Sequence, residues 1–204
     1  MDIGFGRYFA LLPQFGYIDN ACTFLVTELK RKYRKDWDKA VNQREAKFQQ
    51  DLYSLFPEPR YIRGRENVTL RSSNGSTATD IDAVLLDKTA NCLYLFQLKW
   101  FDIFGLGLRE RQSKLTNLLK ASKWVDQVFS WISTLPQREL IIRLGLQKHL
   151  PATTVAVRLF VLTRNSLRFS GLHKYDERAA WIAWPRLVRL VTESSGHPAP
   201  LEEA

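Results

Sequence analysis

The chain has 204 residues, 45% of them hydrophobic and 25% charged, a length within the size of one ordinary domain. Thirty Lys and Arg against 21 Asp and Glu leave a net charge of +9, which argues against a generic acidic-surface enzyme and for a polyanionic partner, nucleic acid first. Uncharged stretches such as Tyr8 to Ile18 are broken by Pro13 and Gly16 and fall short of a span of about 20 apolar residues, and no signal-peptide pattern precedes them, so no membrane partner is expected.

Cys22 and Cys92 stand apart, without the paired spacing of a zinc site or a disulfide framework, and a reducing, cytoplasmic compartment is expected. His149, His173 and His197 have no metal-ligand or triad spacing, which disfavours zinc hydrolysis and Ser/His chemistry.

In chain order, residues 1–40 read as a helical extension: Ile18, Cys22, Leu25, Leu29 and Tyr33 recur at helical spacing, and Lys30, Arg31, Lys32, Arg34 and Lys35 crowd the end. A second helix is expected from about Asn42 to Phe56, with Phe48, Leu52, Leu55 and Phe56 on one stripe and Pro57 and Pro59 beyond it. From Tyr61 to Trp100 the period becomes alternating, which predicts a meander of three strands with turns at Asn74-Gly75 and at Asp87 to Asn91. Gly105 and Gly107 precede a long helix, Leu108 to Ile132, with Leu115, Leu118, Ser122, Val125 and Phe129 on one face and Arg109, Lys120, Lys123 and Gln127 opposite. Thr153 to Thr163 reads as a buried strand, Ala179 to Ala183 as another, and Arg186 to Val191 as a short helix opened by Pro185. Residues 192–204 have the composition of a disordered tail, which leaves 41–191 as the main domain.

The chemistry concentrates in Thr79-Asp80-Ile81-Asp82-Ala83-Val84-Leu85-Leu86 and Leu93-Tyr94-Leu95-Phe96-Gln97-Leu98-Lys99-Trp100. Alternation puts Asp80 and Asp82 on one face of the first strand and Gln97 and Lys99 on one face of the second. A four-residue loop, Lys88 to Asn91, would pair Asp87 with Cys92, Asp82 with Gln97 and Asp80 with Lys99. A Lys in so apolar a strand is costly to bury unpaired, and a structural Asp80–Lys99 pair is the plain alternative to catalysis. Glu45, three residues before Phe48 and seven before Leu52, falls on the apolar stripe of the preceding helix, where a first-turn acid favoured by the helix dipole is the plain alternative.

These residues resemble the PD-(D/E)xK nuclease superfamily, in which a helix contributes a Glu, the following strand an Asp and the next strand an acid-x-Lys. Here the positions read Glu45, Asp82 and Gln97-x-Lys99, with Asp80 as an additional acid and Gln97 in place of the commoner Glu. The resemblance is specific from Glu45 to Lys99 and architectural from there to about Val191. It implies an α/β fold, a restriction-endonuclease-like mixed sheet with flanking helices. It also implies an endonuclease that uses Mg²⁺ or Mn²⁺ to hydrolyse phosphodiester bonds, of DNA first.

On this resemblance Glu45, Asp82, Gln97 and Lys99 are the expected catalytic residues, and Asp82, Gln97, Glu45 and Asp80 the expected metal ligands. Arg63, Arg65, Arg71, Arg111 and Lys114 are the expected contacts to nucleic acid, and a homodimer is one arrangement that would cut two strands. The alternative from another class is a nuclease-like module that binds nucleic acid or a partner protein without turnover.

Overall fold

Strands that are apolar at every position must be covered on both faces. The computed structural model, which describes residues 21–71, 77–101, 108–151, 153–165 and 175–194, has such a sheet between helices. The elements are α1 (Ala21–Lys32), α2 (Arg34–Leu55), β1 (Tyr61–Arg63), β2 (Val68–Arg71), β3 (Thr77–Ile81), β4 (Ala83–Asp87), β5 (Cys92–Lys99), α3 (Leu108–Ser133), α4 (Gln137–Arg143), a 3₁₀ turn (Gln147–His149), β6 (Ala156–Thr163), β7 (Ala179–Ala183) and α5 (Trp184–Ser194).

The main sheet has the order β1-β4-β5-β6-β7, and β2 and β3 form a separate two-stranded ladder. β1, β4 and β5 pair antiparallel, and β6 and β7 continue the sheet in parallel. Alternation divides the side chains of β4 and β5 between two cores. Val84, Leu86, Leu93 and Leu95 face α3 and α4, packing with Trp124, Val125, Val128, Leu140 and Leu144. Ala83, Leu85, Tyr94 and Phe96 face α2 and α5, packing with Phe48, Leu52, Tyr53, Phe56 and Leu187. The result is a three-layer α/β arrangement. None of the described helices is long and apolar enough to cross a membrane.

The β4–β5 hairpin turns as its residues predict. Asp87 pairs with Cys92, and the Asp87 carboxylate accepts the Thr89 and Ala90 N–H groups at 2.8 and 3.0 Å. Arg60 closes the turn with a 2.7 Å ion pair to Asp87, whose side chain is fully buried.

Several expectations are corrected. Tyr61 to Trp100 holds five strands in two sheets, because the chain breaks pairing at Gly64–Asn67 and bends at Asp82. α2 starts at Arg34, so one helix runs through residue 40. The buried stripe of α3 is Leu118, Ala121, Trp124, Val125 and Val128, while Phe129 is exposed, because both the sheet and the β2–β3 ladder lie on the side of Trp124. β6 begins at Ala156, and α5 spans Trp184–Ser194, so residues 192–194, expected in the tail, continue the helix. The Asn74-Gly75 turn, residues 1–20 and 195–204 lie outside the described residues.

Candidate active site

The site forms where β4 leaves its partner. Asp82 lies at the bend between β3 and β4, one residue before the ladder starts at Ala83 opposite Phe96. Its backbone N–H still reaches the Phe96 carbonyl at 3.0 Å, so Asp82 stands across from Gln97 as the hairpin count predicts. Gln97 Nε2 and the Leu98 N–H donate to Asp82 Oδ2 at 2.5 and 2.6 Å.

Two further groups act on that carboxylate. Burial pushes the Asp82 carboxyl up to about 6; the Leu98 N–H, the Lys99 ammonium and the Gln97 amide oppose the shift, and the Asp80 charge adds to it. Asp82 and Gln97 are therefore in direct contact, with Asp80 and Lys99 near enough for their charges to act on the Asp82 carboxylate. Asp80 pairs with Thr69 in the β2–β3 ladder and not with Lys99, because the bend at Asp82 carries β3 out of the main sheet. Trp124 anchors the departing strand by donating from Nε1 to the Asp80 carbonyl at 2.6 Å.

Lys99 and Gln97 continue the face of Leu93 and Leu95, toward α3. Lys99 is paired in register with Thr163 of β6, and its carbonyl accepts the Arg164 N–H at 2.9 Å. The Arg164 guanidinium lies 5.3, 5.4 and 5.1 Å from the ring centres of Phe48, Trp100 and Trp184. It also makes a 2.7 Å ion pair with Asp51. This box ties α2, β6 and α5 together beside the Lys99 strand end, and nothing in the local pattern announces it, since its members lie far apart in sequence.

Glu45 is exposed on α2. One turn later the buried Gln49 donates from Nε2 to the Asp82 carbonyl, and Tyr53, a further turn on, accepts the Val84 N–H at 3.4 Å. Gln49 is the site residue that sequence reasoning passed over; its signal is a polar side chain beside Phe48 on the stripe that continues to Leu52 and Tyr53.

The expected nucleic-acid contacts disperse. Arg63 donates to the Tyr53 carbonyl at 3.2 Å and stacks 5.2 Å from its ring centre. Arg65 and Arg71 are exposed beside β2, Lys114 is half-buried near the start of α3, and the Arg111 side chain is outside the described residues. Among the described residues no group of three or more His, Cys, Asp or Glu is clustered for a metal ion. Comparison of the chain with protein-family profiles, with curated proteins and with solved structures finds no match.

Proposed function

We propose that the chain is a metal-dependent nuclease of the PD-(D/E)xK kind, hydrolysing phosphodiester bonds of nucleic acid, DNA first. The observation that carries the reading is the junction at the β3–β4 bend, where Asp82 is hydrogen-bonded to Gln97 and Leu98 while the charges of Asp80 and Lys99 act on the same carboxylate. The order of elements supports it: a helix, an antiparallel hairpin carrying Asp82 and Gln97-x-Lys99, a long helix and a parallel strand come in the order that the resemblance implies.

The donor chemistry suits a hard divalent cation. Mg²⁺ is commonly held by one or two carboxylates with water completing its shell, and Asp80, Asp82 and the Gln97 amide oxygen are donors of that type. Glu45, expected on the apolar stripe, is exposed one turn before Gln49 and is not turned onto Asp82, so Asp80, Asp82 and Gln97 would hold the ion without it. When bound, such an ion lowers the pKa of an attacking water and neutralises charge on the phosphate. Lys99 orients that water and stabilises the negative charge that develops on the phosphate oxygens. The Gln97 amide and the Leu98 N–H hold Asp82 in place before substrate arrives.

One observation favours the second reading, a nuclease-like module that binds without cutting. Gln97 turns its nitrogen, not its oxygen, toward Asp82. Incubation with supercoiled plasmid, linear duplex, single-stranded DNA and RNA, with Mg²⁺, Mn²⁺ or EDTA, separates the two. The nuclease reading expects nicking that EDTA abolishes and that Lys99→Ala lowers by at least about 100-fold, the usual scale of general acid–base and charge stabilisation. Nicking by a folded Lys99→Ala protein at the wild-type rate overturns it.

A further inference from the structure

An open groove of about 610 Å³ runs beside β2, lined by Arg65, Asn67, Thr69, Arg71, Trp131 and Arg143 among others. Two of its lining residues adjoin the candidate active site through the backbone. The Asn67 N–H reaches the Asp82 carbonyl at 3.4 Å, and Thr69 is paired with Asp80. From there the exposed face of β2 leads to Arg71, with Trp131 of α3 and Arg143 of α4 also lining the groove.

The walls are built rather than adventitious. The Arg65 N–H donates to the Leu144 carbonyl at 2.7 Å, which ties the Arg65 loop to the residue after Arg143. Gly64 fits against Val84 and Leu144 so closely that a Cβ there would lie 2.6 Å from Val84 Cγ1 and 2.8 Å from the Leu144 oxygen. Gly145, with φ of +78°, passes the Arg65 backbone where a Cβ would meet its nitrogen at 3.1 Å. Arg143 is braced by Glu139, whose carboxylate accepts its Nε at 3.0 Å. Trp131 is partly buried, packed against the α3-side core while it also lines the groove.

Three arginines and one acid, Glu66, line the groove with an indole among them, and one of the three, Arg143, is paired with Glu139. That combination suits a phosphodiester strand whose bases are unpaired: guanidinium forks grip phosphate, and an aromatic ring stacks most readily on a base whose face is not covered in a duplex.

We propose that this groove holds an unpaired segment of the substrate strand, with Arg65, Arg71 and Arg143 on its phosphates and Trp131 against a base, and delivers the strand to Asp80 and Asp82. The choice of nucleic acid rests on the nuclease reading, whereas the groove itself rests on its own lining. The function it adds is a preference for single strands, or for duplexes with frayed or flipped nucleotides.

The test is anisotropy of a short labelled oligothymidylate and of a blunt duplex of equal length, in EDTA so that no cleavage intervenes. Trp131→Leu is expected to weaken the single strand about 10-fold, the size of one stacked base, and the duplex by no more than about twofold. Arg143→Gln, at an exposed position, is expected to weaken both and to reduce the salt slope by about 1. Trp131→Phe keeps an aromatic face and should restore most of the single-strand affinity, which guards against a merely unfolded Trp131→Leu. Folded Trp131→Leu and Arg143→Gln proteins that bind the single strand like wild type overturn the groove, as does displacement of the strand by polyglutamate of equal charge at equal concentration. Metal-dependent nicking with groove variants that bind normally removes the groove and leaves the nuclease. Groove-dependent strand binding without any nicking removes the nuclease and leaves the groove.

Discussion

Asp82 carries a charge that the fold resists. Burial raises its carboxyl to about 6 from an ordinary 3.8, against the Leu98 N–H and Lys99. The folded state thus holds this proton more tightly than the unfolded chain does. The stability contributed by the raised pKa is fully present below about pH 4 and is lost as pH rises through about 6. Partial contact with water limits the effect to on the order of 1 kcal/mol. Asp82→Asn should therefore melt at or above the wild type at pH 7.5 and lose that advantage at pH 4, a difference read directly from thermal melts at the two pH values. A cation competes with the same proton, so the stabilisation of wild type by added Mg²⁺ should shrink as pH falls through 6 and be absent in Asp82→Asn. Gln97 gives a sharper contrast. Gln97→Glu replaces the amide donor by a second carboxylate beside Asp82, which is costly without metal and favourable with it. Its melting temperature should fall below wild type in EDTA and rise more than wild type on adding Mg²⁺ or Ca²⁺. Equal destabilisation with and without the ion would mean that Gln97 is a structural donor to Asp82.

At the scale of elements, the site depends on how α2, β4 and α4 press on two short stretches of backbone. Gln49 and Tyr53, four residues apart and so on one face of α2, hold Asp82 at the bend and Val84 two residues beyond it. On the opposite side of the sheet Gly64 lets the chain between β1 and β2 pass between Val84 and Leu144. Gly64→Ala forces Val84 and the α4 end apart, and a clash with backbone cannot be relieved by a side-chain rotation. The expected cost is about 1–3 kcal/mol, or roughly 3–10 °C in melting temperature for a chain of this size, checked by calorimetry. The hairpin end is held differently. Despite burial, which raises it, Asp87 has its carboxyl held below the ordinary value by the Arg60 guanidinium and the turn N–H groups, so that contact stabilises at neutral pH and fails as acid protonates it.

For the whole molecule, the +9 charge has meaning only through its placement. Arg65, Arg71 and Arg143 line one groove, Arg143 while paired with Glu139, whereas Arg63 lies on Tyr53 and Arg164 among Asp51 and three aromatic rings. Affinity for nucleic acid should fall log-linearly with salt, and Arg65→Gln should reduce the slope by about 1. Arg63→Gln should change the slope less, because Arg63 does not line the groove. A binding titration across salt concentrations checks both, and a flat wild-type dependence would mean that the charge serves solubility.

The β4–β5 register, the Asp87–Cys92 pairing, the strand Ala179–Ala183 and the long helix from Leu108 were readable from residues alone, because turn chemistry and hydrophobic period act over short stretches. The juxtaposition of Asp82 and Gln97 followed from that register, since the hairpin is local. What only the tertiary structure decided are the features that join distant segments. The bend sends Asp80 to Thr69, α2 turns Gln49 and not Glu45 onto Asp82, Arg164 enters a box of three rings, and Arg65 meets Gly145 across β2 and α4. Each of these depends on which helix covers which face and how closely, a matter settled by the packing of two cores about one sheet and left open by the period of any single element.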